Sequence, residues 1–160
     1  LSGFFGRLLT HHEFGGALAD NPVLARTLTL IVSLILVLAT GALCWPGRFS
    51  EDLFILEAGL VIVTTHLITP TGWFHHMALA FLAFAVAWQS ASNRERAFVL
   101  IAYALINMQG LFWHQLVGHT LLLSLGTYGL LILWGVLAWQ ITEHRRRIRK
   151  NQRGDALASQ

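Results

Sequence analysis

The feature that most limits this chain is how far it runs without a charge. No Asp, Glu, Lys or Arg occurs across residues 27–47, 58–93 or 97–142, runs of 21, 36 and 46 residues. A bilayer core of roughly 30 Å is crossed by about 20 apolar residues in a helix. Only 12% of the chain is charged and 55% is apolar, where a soluble domain carries about a quarter charged residues. The expected class is therefore all-α, a polytopic transmembrane helical bundle. Length-based domain counting assumes a soluble core and does not apply.

Breaks in the runs predict about five spans, near residues 22–45, 52–69, 73–90, 96–113 and 119–142. Pro46-Gly47 stops the first and Pro70 the second, because proline lacks the N–H and clashes with the preceding turn. Residues 1–21 read as an outer loop segment and 143–160 as a basic tail. No basic leader with a short apolar core and small-residue cleavage site opens the sequence. The first residue is Leu1, and the reading expects a C-terminal part of something longer.

Basic residues accumulate on the cytoplasmic side. With five alternating spans, one set of loops holds Arg48, Arg94, Arg96, Arg145, Arg146, Arg147, Arg149, Lys150 and Arg153, nine of the eleven Lys and Arg. The other holds Arg7 and Arg26. The N-terminus is expected outside and the C-terminus in the cytoplasm, in a multi-pass plasma-membrane protein. The RRRIRK run at 145–150 follows a span directly. It reads as a stop-transfer signal that contacts membrane lipids rather than nucleic acid.

On that map seven of the eight histidines (His11, His12, His66, His75, His76, His114 and His119) fall on the outer side, and His144 falls inside. Residues 69–76, TPTGWFHH, gather the strongest signals. Pro70 ends a helix, Gly72 permits an irregular backbone, and Trp73 suits an interface. His75 and His76 are adjacent, so on a helix they point about 100° apart. Non-helical backbone at membrane depth is tolerated only where protein or a wet cavity covers it. An interfacial anchor of Trp and His is the plain alternative.

This stretch resembles the Ser-Pro-x-Ser-Trp-x-His-His signature of glycosyltransferase family 87, polytopic enzymes of the GT-C class. Pro70, Trp73, His75 and His76 match. Thr69 stands for the first Ser, and Gly72 departs from the Ser before Trp. LSGFFGRL, at 1–8, is similar to the segment that follows Asn-Gln-Ser in the family's outer loop. The resemblance implies transfer of a hexose, mannose first, from a polyprenyl-phosphate donor to a lipid or glycan acceptor at the outer membrane face. It implies an acidic base upstream of Leu1, so no catalytic residue is expected here and this stretch alone is expected inactive. His76, His75, Arg7, Trp73 and His66 are the substrate-binding candidates. No cofactor and no metal is implied.

Other polar residues read as structure first. Tyr103, Asn107, Gly110 and His114 recur on one helical face and read as helix–helix glue, with an acceptor groove as the alternative. Glu57 is expected to reach the interface or pair with Arg48. Ala78, Ala80, Ala83, Ala85 and Ala87 are expected to permit close packing. Cys44, the single cysteine, reads as a small buried hydrophobe. Two rival classes remain. One is a membrane haem or metal protein using His66, His75, His76, His114 or His119. The other is a transporter or scaffold subunit, since broken helices also bind substrates in transporters.

Overall fold

A computed structural model describes residues 1–11, 18–45, 50–69, 77–112, 119 and 121–158. Among them are six α-helices and no strand: α1 (Ser2–Leu9), α2 (Pro22–Cys44), α3 (Glu51–Ile68), α4 (Met77–Gln89), α5 (Asn93–Leu111) and α6 (Leu125–Ala158). A 3-10 turn, Leu122–Ser124, leads into α6.

Local chemistry sets the helix starts. Asn21 accepts from the Leu24 N–H at 2.9 Å, and Pro22 occupies the first turn of α2, where its missing donor is harmless. Ser50 caps α3, with Glu51 and Asp52 in the first turn, where the helix dipole favours negative charge. Ser92 and Glu95 form a reciprocal capping box. That box starts α5 at Asn93, three residues before the expected 96.

Two expectations about segments need revision. The outer segment 1–21 contains a helix, α1. The basic tail is not a separate element either, because α6 begins at Leu125 and continues through it to Ala158. Arg and Lys are good helix formers, so nothing in RRRIRK stops the helix. The stretch 70–76 lies outside the described residues, and α4 is described from Met77.

The helices alternate in direction, and the contacts define two ends. At one end the Leu1 backbone nitrogen donates to Leu67 O at 2.6 Å, Arg7 reaches Ser124, and Gln109 Oε1 accepts from the Gly126 N–H. This α1 end collects the C-termini of α3 and α5 and the N-terminus of α6. At the tail end, Arg145 donates to Glu57 at 2.8 Å and to Trp45 O at 3.2 Å, and His144 Nε2 lies 3.4 Å from Ser50 Oγ. Glu57 is thus paired with Arg145, half-buried like its partner. Arg48 lies outside the described residues. The Arg145–Glu57 pair joins residues 88 positions apart in sequence.

The core runs between α3 and α6. Leu56, Leu60, Val63 and Leu67 bury one face of α3 against Leu130, Leu133, Leu137 and Ile141 of α6. In α4, Ala80, Ala83 and Ala87 are buried while Ala78 and Ala85 are exposed. The small residues on the inner face let another helix come close, and Gln140 Nε2 reaches the Ala87 carbonyl at 3.0 Å. Tyr103 packs edge-on against Phe84 and Phe81 of α4, which is the gluing role expected of its face. Asn107 instead donates to Tyr103 O within its own helix.

Three side chains tie α2, α3 and α6 together at mid-length. The Thr40 and Thr64 hydroxyls are 2.8 Å apart, and Trp134 Nε1 lies 3.0 Å from Thr64 and 3.2 Å from Thr40. Thr64 passes its own proton to Leu60 O, so it accepts from the other two. Trp134→Phe removes the donor and leaves a smaller ring. The lost hydrogen bond is expected to lower stability by about 0.5–1.5 kcal/mol, toward the lower figure if the bundle sits in lipid, and the space left by the indole adds to that loss. Reversible unfolding in mixed detergent micelles measures this.

Among the described residues, two helices are long and apolar enough to cross a membrane: Pro22–Cys44 and Leu125–Gln152. The other three expected spans fall short for identifiable reasons. α3 carries Glu51, Asp52 and Glu57, α5 opens with Arg94, Glu95 and Arg96, and α4 is described over 13 residues.

Candidate functional site

Of the five substrate-binding candidates, Arg7 and His66 are described. Trp73, His75 and His76 lie outside the described residues, in the stretch that joins the end of α3 to the start of α4. Arg7 and His66 share the α1 end.

Arg7 comes from the last turn of α1. Phe4 packs edge-on against Phe5 and Tyr128, fixing the apolar side of α1 on the start of α6. That docking carries Arg7 to Ser124, which accepts from Nη2 at 3.2 Å and from Nε at 3.4 Å. Ser124 is fully buried. Burial lowers the Arg7 pKa from its ordinary value, and the nearby Tyr128 acts in the opposite direction. The guanidinium remains protonated at neutral pH regardless, since its starting value is so high. Arg7 is thus a half-buried cation, two of whose donors engage Ser124.

His66 sits in the last turn of α3. Its Nδ1 is 2.8 Å from Ile62 O. A carbonyl only accepts, so Nδ1 carries the proton, and in the neutral ring Nε2 is then the acceptor.

The same end is closed by two further elements. Gln109 of α5 binds the Gly126 N–H at the first turn of α6, satisfying one of the helix's orphan donors. The return from α1 to α2 is held by Asn21 N to Leu9 O at 2.7 Å and Leu18 N to Leu8 O at 2.9 Å. Ser124 was the missed partner of Arg7. Its only local signal was a lone hydroxyl inside the apolar run at 121–125, which says nothing about a contact 117 positions away.

Among the described residues, no three His, Cys, Asp or Glu side chains converge as metal ligands. His144 is at the opposite end, beside Ser50. No protein-family model, no curated protein and no solved structure matches this chain.

Proposed function

We propose that this chain is the membrane wall of a polyprenyl-phosphate-dependent hexosyltransferase of the family-87 kind, with its site at the α1 end and that end facing outward. The observation that carries the reading is the docked Arg7. A half-buried guanidinium held beside Ser124 brings a fixed positive charge to this end of the bundle, and a phosphate is the ligand such a charge suits. Polyprenyl phosphate is the leaving group in such a transfer, and it gains negative charge as the sugar departs. A preoriented donor aimed at that charge is worth most in a water-poor site.

His66 supplies the complementary chemistry. It lies in the last turn of α3 at the same end, so Arg7 is assigned to the phosphate and His66 to the sugar. His75 and His76 follow Pro70 in the connection that leaves α3 beside His66, and Trp73 offers a ring for the sugar or the lipid interface. The family pattern puts the acidic base before Leu1.

The membrane setting rests on the outer surface. Leu30, Leu34 and Leu38 line an exposed face of α2, at 70%, 58% and 63% exposure. Phe81 and Leu82 of α4 and Phe98, Leu100 and Ile101 of α5 are exposed as well. Contiguous apolar area of this kind needs a non-aqueous surrounding. The basic excess at the tail end then orients that end toward the cytoplasm in a plasma membrane.

The test is a transfer assay on the complete gene product that contains this chain, reconstituted in vesicles. Labelled mannose is offered as a polyprenyl-phosphate ester or as a sugar nucleotide, with a crude lipid and glycan acceptor fraction. Label is expected to move only from the lipid-linked donor. A Soret band in the purified protein, or transfer from the nucleotide alone, overturns the proposal.

A further inference from the structure

A groove of about 510 Å³ runs along the outside of the bundle between α5 and α6, near the tail end and away from the α1 end. Its walls are Phe98, Ile132, Val136 and Trp139, with Gly135 between them. On α6 these residues recur at i, i+3, i+4 and i+7, a single helical face. A Cβ added to Gly135 meets nothing within 4 Å, so the missing side chain leaves the trough open. The volume is within the range of small-molecule sites, about 300–1,000 Å³.

The mouth of the groove is polar and its charge is sorted. Ser92, Arg94 and Glu95 form the rim. The Glu95 carboxylate is turned back onto the Ser92 N–H at 2.6 Å. The Arg96 guanidinium lies over the Trp88 ring, 5.4 Å from its centre. Among the described residues, no hydrogen bond or ion pair engages the Arg94 guanidinium, and Arg94 is exposed. An apolar trough with a single uncommitted cation at its mouth is complementary to a molecule with one apolar chain and an anionic head.

We infer that this groove holds one acyl chain of an anionic phospholipid, with its phosphate on Arg94. The inference rests on the membrane reading, under which the tail end meets the cytoplasmic leaflet, where anionic lipids concentrate. It does not depend on the transferase reading. The groove is a lipid-binding site on the lateral surface, separate from the Arg7 end.

Detergent-purified protein exchanged into equimolar phosphatidylglycerol and phosphatidylcholine of identical chains, then analysed by native mass spectrometry, tests it. The wild type is expected to retain one phosphatidylglycerol in preference to phosphatidylcholine. Gly135→Trp fills the trough and is expected to lose that lipid whatever its head. Arg94→Gln is expected to keep a lipid but lower the preference roughly fivefold. Gly135→Trp projects into open space and Arg94 is exposed, so both variants should fold, and helical circular dichroism checks it. Equal lipid retention by wild type and Gly135→Trp overturns the site. So does displacement by soluble glycerol phosphate, or a dimer that dissociates in Gly135→Trp. Failure of the wild type to float with vesicles of the same lipids rejects the membrane reading instead, a separate result.

Discussion

His76→Ala in the complete enzyme is expected to lower sugar transfer by roughly 10²–10³-fold, the loss typical of removing one donor from developing transition-state charge. His144→Ala is expected to change transfer by no more than about twofold, the range of a substitution away from any special feature. The contrast follows from the proposed site. α3 ends beside the Leu1 and Arg7 end of the bundle, with Leu1 hydrogen-bonded to Leu67 O, and the TPTGWFHH connection departs from there. His144 is at the other end, 3.4 Å from Ser50. Rates from the lipid-linked donor at saturating acceptor check the pair. Equal losses in both variants sink an outer-end site.

Arg7 sharpens the same experiment. If it holds the phosphate, Arg7→Lys retains charge but loses the fork and its two contacts to Ser124. Its effect should then appear on donor affinity and rate together. A His66 variant should act on the sugar side, since the Nδ1 proton is committed to Ile62 O.

Helix positions were largely legible in the sequence because charge-free runs and caps are local signals. The Asn21-Pro22 start of α2 and the Pro70 limit on α3 needed only neighbouring residues. What stayed hidden was long-range or contrary to composition. Glu57 meets Arg145, and no single sequence shows which of many arginines folds back. Thr40, Thr64 and Trp134 looked like ordinary members of apolar runs, yet they form the polar knot of the bundle. The basic run at 145–150 read as a stop-transfer signal after a span, and its residues propagate a helix well enough for α6 to continue through them. Of the site, the sequence indicated which end to examine, and the docking of Arg7 on Ser124 required the fold.

Glycine 129 carries the largest structural prediction. A Cβ at this position would be 2.6 Å from the Ala102 backbone carbonyl oxygen and 2.7 Å from Ile106 Cγ1. A carbonyl in mid-helix does not swing aside, so Gly129→Ala has to separate α5 from α6. The expected net destabilisation is about 1–3 kcal/mol, the usual range for overpacking, even though alanine favours the helix by about 1 kcal/mol. Gly59→Ala is the control. Its Cβ would rest 3.5 Å from Leu137 and Val86 side chains, ordinary contact distance, so the propensity gain should survive and stability should hold or rise. The two substitutions add the same atom to helical glycines at one interface each, and only the space differs. Separation of α5 from α6 would also pull Gly126 off Gln109 and move Ser124, the residue that orients Arg7. Gly129→Ala should therefore lower transfer as well as stability, whereas Gly59→Ala should leave both intact. Unfolding midpoints in detergent, read beside transfer rates, check the coupling. Unchanged stability in Gly129→Ala would mean that α5 and α6 are not in close contact at this point.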